Sequence, residues 1–192
     1  MTLPSVIRIF FAIDLPVPAK EKLGEFISDL KKKSRTHAIR WSKSANLHIT
    51  LQFLGEIQAA DLEKLISNVR ARIEGMVENS ELRLGLPKLF PNPYRPRVIV
   101  LDIIPQDNLA ILSRLIGEGI KATDYEIEER PFRAHLTLGR IKQPQGINLS
   151  FLSSSEMPEF EKMMVEEVVL FRSEPQPEGS QYTVIEKLRL MK

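Results

Sequence analysis

Two four-residue segments carry the chemistry in this sequence: His48-Ile49-Thr50-Leu51 and His135-Leu136-Thr137-Leu138, offset by 87 residues. Only three histidines occur in 192 residues, and two of them stand in these matched segments. The third, His37, lies in a basic stretch with no echo and reads as solvent-exposed. An imidazole titrates near neutral pH, so of two that face one site, one can act as a neutral base while the other remains a protonated acid. Such a pair suits in-line displacement at a phosphodiester, with one histidine deprotonating the attacking oxygen and the other protonating the departing one. Side chains on a strand alternate between faces, so each threonine shares a face with its histidine and can donate its hydroxyl to a nonbridging phosphate oxygen. No HxH or HExxH pattern is present, so the reading needs no metal.

The same alternation makes further predictions. His48, Thr50 and Gln52 should point into a cleft, with Ile49, Leu51 and Phe53 turned to the core. Arg140 falls on the apolar side by strict alternation and reaches the cleft only if its strand twists, bulges or ends near Gly139.

These segments need strands to hold them. Apolar spacing of three and four residues predicts helices over about 18–33 (Leu23, Phe26, Ile27, Leu30), around Leu62 to Ile73 and around Leu109 to Ile120. The basic end of the first, Lys31 to Lys33 with Arg35, reads as a solvated face that complements the helix dipole. Strands are expected at Val6 to Leu15, Asn46 to Leu54, Glu81 to Leu89, Arg97 to Ile104, Ala134 to Ile141, Val165 to Phe171 and Gln181 to Leu190, with loops at Phe90 to Arg97 and Pro175 to Ser180. Shifted by 87 residues, the first helix falls on the third, and the second falls on a weaker apolar pattern at Gly146 to Glu161. The chain therefore reads as strand, helix, histidine strand, helix and strand, performed twice. Residues 1–192 form a single domain of two duplicated lobes, each with one His-x-Thr-Leu segment, about a shared cleft.

Composition narrows the rest. At 43% hydrophobic and 27% charged residues, the chain has the balance of a folded globular protein. A net charge of +2 is too small to attract nucleic acid by mass electrostatics, so anion binding must be local. The lack of cysteine removes disulfides, thiolate metal sites and thiol nucleophiles, and fits a cytoplasmic protein. The apolar run Ile9 to Ile13 is far too short to span a bilayer, and Arg8 interrupts any signal-peptide pattern.

The twin segments resemble the HxTL motifs of the two-histidine phosphoesterase superfamily and, within it, the RNA 2′,3′-cyclic phosphodiesterases, also called 2′-5′ RNA ligases. The resemblance extends over nearly the whole chain: Arg8 to Pro16, Arg40-Trp41, His48 to Gly55, Pro96-Arg97-Val98, Arg130 to Arg140, and Leu170-Phe171-Arg172-Ser173 to Tyr182. One departure is Ala134, where family members often carry proline before the second histidine. The resemblance implies an α+β fold of two pseudo-symmetric lobes, each with an antiparallel-type sheet and flanking helices, around a central cleft. It implies hydrolysis of RNA 2′,3′-cyclic phosphate ends to 2′-phosphomonoesters, with His48 as proton donor, His135 as general base, Thr50 and Thr137 on the phosphate, and no cofactor. Arg140 would contact phosphate or nucleotide. The residues alone leave the two histidine roles interchangeable.

Phe10 fits either a base-stacking or a core role, and Trp41 faces the same choice. Arg95, Arg97, Arg130 and Arg133 are read as a basic rim or as solvated side chains. The expected partner is RNA with 2′,3′-cyclic phosphate ends, tRNA halves among them, bound by a monomer with no membrane contact. Two alternatives remain: ATP-independent 2′-5′ ligation of tRNA-half-like ends by the same histidines, and a non-catalytic module that holds RNA 3′ ends. The chain has no GxxxxGK[ST] loop to couple ATP.

Overall fold

The computed structural model describes residues 4–76, 79–128, 130–144, 147–177 and 179–190. The elements in chain order are β1 (Val6–Asp14), α1 (Val17–Ser34), β2 (Ile39–Trp41), β3 (His48–Gln58), α2 (Leu62–Ile73), β4 (Ser80–Phe90), β5 (Val98–Ile104), α3 (Asp107–Lys121), β6 (His135–Ile141), β7 (Met163–Val165), β8 (Glu167–Glu174) and β9 (Gln181–Arg189). Short 3-10 turns lie at Ser44–Asn46, Ala59–Asp61 and Ser150–Leu152.

All strand pairs are antiparallel, and they join into one sheet of order β7-β4-β5-β6-β3-β1-β8-β9, with β2 added to β6. The α+β class and its antiparallel sheet halves agree with the sequence-based expectation. The halves are not separate sheets, however. They meet where β3 pairs with β6 at Ile49 and Leu136, so the histidine strands lie side by side at the middle of the sheet. β4, which follows the first histidine strand, pairs with β5 of the second half, and β8 pairs back onto β1. Each half thus completes the other's sheet.

α1 begins behind Pro16, where a proline costs no helical hydrogen bond, and ends on Arg35 in the left-handed region. Leu23, Phe26, Ile27 and Leu30 are buried along its inner face, and Lys33 pairs with Asp29 one turn back on its outer side at 2.7 Å. The main core packs Ile7, Ile9, Phe11 and Ile13 of β1 together with the inner faces of the helices. The intervening Phe10 and Ala12 belong to a second, smaller cluster with Val169, Phe171 and Tyr182. β1 is therefore buried on both faces.

No α-helix forms over the expected Gly146 to Glu161 segment, whose first residue lies outside the described residues. The described part carries one 3-10 turn, and Phe151 is buried from it. Ser153 to Ser155 and Pro158 disfavour a longer helix. No helix among the described residues is long and apolar enough to cross a membrane.

Candidate active site

Because β3 and β6 pair at Ile49 and Leu136, one further residue on each strand sets His48 opposite Thr137 and Thr50 opposite His135. The motif leucines and isoleucine point into the core: Ile49, Leu51, Leu136 and Leu138 are all buried. The histidines and threonines line one cavity of about 390 Å³ on the opposite face.

Each motif contains a bulge at its leucine. On β3, Gln52 pairs with Phe11 and Thr50 with the next residue, Ala12, so Leu51 is the extra residue. On β6, Gly139 pairs with Ile99 and Thr137 with Val100, so Leu138 is extra. A bulge resets which face the following side chains take. Arg140 is thereby exposed and lines the cavity, as a bulge near Gly139 required. On β3 the same reset corrects the simple alternation. Gln52 points toward α3, donating to the Ser113 carbonyl and hydroxyl at 3.0 and 3.1 Å. Phe53 instead lines the cavity and is 45% exposed, with the Arg8 guanidinium 4.9 Å from its ring centre.

The two imidazoles are held alike. His48 Nδ1 donates to the Asn46 carbonyl at 2.7 Å and His135 Nδ1 to the Arg133 carbonyl at 2.8 Å, each two residues upstream. Both bonds favour the Nδ1–H tautomer and leave Nε2 as the working nitrogen. His48 Nε2 accepts from the Thr50 hydroxyl at 3.0 Å.

The ring environments differ. Phe10 lies 4.8 Å from His48 between ring centres, and Tyr182 meets the imidazole edge-on at 5.3 Å. Burial in this aromatic box pushes the His48 pKa below its ordinary value. The Asn46 carbonyl and Asp14 pull it up, and Lys20 and Arg140 push it further down. His135 is covered by Phe90, stacked nearly parallel at 5.8 Å.

Phe10 itself is only 2% exposed and packs on His48, Phe171 and Tyr182. It touches the cavity wall but has no free face for a base, so its geometry is that of a support under the imidazole. Trp41 lines the cavity and meets Phe151 edge-on. Gly139 lets it come that close, since a Cβ there would sit 3.1 Å from the indole.

Arg8, Arg40, Lys43 and Arg140 line the cavity, and no acidic side chain is among its described lining. This local field suits an anion despite the modest net charge. The expected rim is elsewhere: Arg95, Arg97, Arg130 and Arg133 do not line this cavity. Arg130 pairs with Glu128, and Arg133 with Asp102 at 3.5 Å. Burial pushes the Asp102 carboxyl up, but Lys88 and Arg133 outweigh it and hold the group below its ordinary range. Arg8 and Arg40 were visible in the sequence as part of the resemblance, but not as cavity cations. No group of three or more metal-ligating side chains gathers among the described residues.

The sequence pattern of LigT-like phosphoesterases matches residues 13–100, which include the first motif. The chain is also 30% identical over 186 residues to the RNA 2′,3′-cyclic phosphodiesterase of Methanothermobacter thermautotrophicus, covering 96% of this chain and 99% of that one. The chain belongs to the LigT-like phosphoesterase family. A second relative among these phosphoesterases, the RNA 2′,3′-cyclic phosphodiesterase of Archaeoglobus fulgidus, is 30% identical over 91% of this chain and 96% of its own length. Among solved LigT-like structures, E. coli LigT complexed with 3′-AMP superposes with a TM-score of 0.77 at 27% identity, covering 97% of this chain and 99% of that one. TT0787 of Thermus thermophilus gives 0.74 at 26% identity, covering 96% and 98%.

Proposed function

We propose that this protein hydrolyses RNA 2′,3′-cyclic phosphate ends to 2′-phosphomonoesters without a metal, using His48 and His135 as an acid-base pair. The observation that carries this is the matched pair of imidazoles. Each has Nδ1 anchored on a carbonyl, which leaves Nε2 to exchange the proton, and both line one cation-rich cavity. Relatives aligned over nearly the full chain are named RNA 2′,3′-cyclic phosphodiesterases, which supports the substrate class.

In the proposed reaction, His135 Nε2 takes a proton from water and the resulting oxygen attacks phosphorus. The bond from phosphorus to the 3′ oxygen breaks, and His48 Nε2–H protonates the departing oxygen. General acid and base catalysis contribute roughly 10²- to 10⁴-fold each. Burial suits His48 to the donor role, because a cation destabilised by desolvation is a stronger acid. A bound phosphodiester anion would oppose that destabilisation and keep the proton in place until the leaving oxygen develops charge. Thr50, which donates to Nε2 in this structure, is freed to donate to a nonbridging oxygen once Nε2 carries a proton. Thr137 takes the matching position on β6, and the Arg140 fork fits phosphate oxygens. Phe53 and Tyr182 supply aromatic surface in the cavity for the terminal nucleoside.

We also read residues 1–192 as one domain of two duplicated lobes, acting as a monomer in the cytoplasm with tRNA halves among its RNAs. The recurrence of elements and the exchange of β4 and β8 between halves support the duplication. The function is tested with a short oligonucleotide ending in 2′,3′-cyclic phosphate, incubated in EDTA. A 2′-phosphate product is expected. Joined strands would point to ligation, retention without conversion to a binding module, and a 3′-phosphate would overturn the stated bond cleavage.

A further inference from the structure

The peptide plane between Arg133 and Ala134 links His135 to a residue far upstream, Gln106. Its carbonyl, from Arg133, accepts the His135 Nδ1–H at 2.8 Å. Its N–H, from Ala134, donates to the side-chain Oε1 of Gln106 at 2.7 Å. The N–H and C=O of one trans peptide point in opposite directions within a rigid plane, so holding one end fixes where the other aims. The same amide grips further: Gln106 Nε2 donates to the Ala134 carbonyl at 3.0 Å and to the Ile103 carbonyl at 2.8 Å. A single side chain thus ties the start of β6 to the end of β5, from the position that caps α3.

The first half meets the same need with backbone alone. The peptide that presents the Asn46 carbonyl to His48 has its N–H, from Leu47, bonded to the Ser44 carbonyl at 3.1 Å in the 3-10 turn. The residues before His135 form no regular element, and Ala134 is 0% exposed, so its N–H has no water to satisfy it. Without Gln106 this plane would lose its anchor.

We propose that Gln106 is a positioning residue for His135: by holding the Ala134 N–H it aims the Arg133 carbonyl, which fixes the imidazole as the Nδ1–H tautomer with Nε2 toward the cavity. Gln106 does not line that cavity, so it acts through His135 and not on substrate. The inference rests on the acid-base role proposed for His135, but its tautomer readout does not depend on turnover.

The test compares wild type and Gln106→Met. Long-range ¹H–¹⁵N NMR reads both histidine tautomers, and steady-state kinetics use a nucleoside 2′,3′-cyclic phosphate. In Gln106→Met, His135 should lose its predominant Nδ1–H signature while His48 keeps its own. kcat should fall roughly tenfold to a hundredfold with KM within about threefold, the scale expected when a catalytic group is slightly misplaced. The proposal is overturned by an unchanged His135 tautomer with kcat within about twofold of wild type. It is equally overturned by tautomer losses of the same size at His48. Wild type without turnover on the cyclic phosphate would strike the proposed function, while the tautomer comparison would still decide the role of Gln106.

Discussion

Replacing Phe10 with alanine separates a support under the catalytic imidazole from a platform for a base. The ring is 2% exposed, faces His48 at 4.8 Å and also packs on Phe171 at 5.2 Å and Tyr182 at 4.9 Å. Truncating a buried phenylalanine costs about 3–5 kcal/mol, through lost burial and the cavity left behind. In a chain of 192 residues, each kcal/mol lowers Tm by about 2–4 °C, so a loss near 4 kcal/mol should lower it by roughly 8–16 °C. Opening the aromatic box also readmits water to His48, and its pKa should rise toward the ordinary imidazole value. The assay pairs thermal melts with kcat and KM measured well below the lower transition, for Phe10→Ala and the milder Phe10→Leu. A large fall in Tm, a reduced kcat and a nearly constant KM are expected. If Phe10→Ala melted within about 2 °C of wild type while KM rose tenfold or more, the ring would be stacking on substrate and the support argument would be wrong.

His48→Ala and His135→Ala should each lower kcat about 10²- to 10⁴-fold while melting cooperatively; near wild-type turnover in either would exclude the twin-histidine mechanism. Thr50→Ser and Thr137→Ser should keep most activity, whereas the valine variants, which keep the shape without the donor, should lose up to about 10²- to 10³-fold; valine variants with full turnover would remove the threonines from the chemistry. Burial lowers the His48 pKa in the free enzyme and a bound anion raises it, so the pH profile of kcat should lie to higher pH than that of kcat/KM; coincident profiles would contradict this. The same lowered pKa makes the stability from neutral His48 complete above about pH 6.5 and lost as pH falls through the folded value, so His48→Gln should flatten the acid side of the Tm profile.

The site was legible where chemistry and spacing coincide. Two histidines in matched segments, with threonines two residues on, locate the cavity from sequence because strand alternation is a local rule. That rule ends at the bulges. Leu51 and Leu138 look like ordinary strand residues, and only their pairing with β1 and β5 shows that each is an extra residue. Gln52 and Phe53 therefore exchange the faces that alternation predicts, and Arg140 reaches the cavity only through the second bulge. Phe10 was ambiguous because a strand buried on both faces has no polar side to reveal its orientation. The strand exchange between halves depends on long-range pairing, which periodicity does not encode. Gln106 lay beyond sequence reading because its partners are backbone atoms, two of them on Ala134 far along the chain. The Ala134 departure from proline shows why it matters here: proline lacks the N–H that Gln106 holds.

The most direct test of the central claim uses a dinucleotide whose cyclic phosphate carries sulfur in place of the 3′ oxygen. A thiolate departs with little need for a proton, whereas attack by water still needs a base. On this substrate, His48→Ala should recover most of the rate it loses on the oxygen substrate, and His135→Ala should remain slow. Rescue of His135→Ala with His48→Ala still slow would reverse the two roles, and equal behaviour of both variants would contradict an acid and a base acting on opposite sides of one phosphorus.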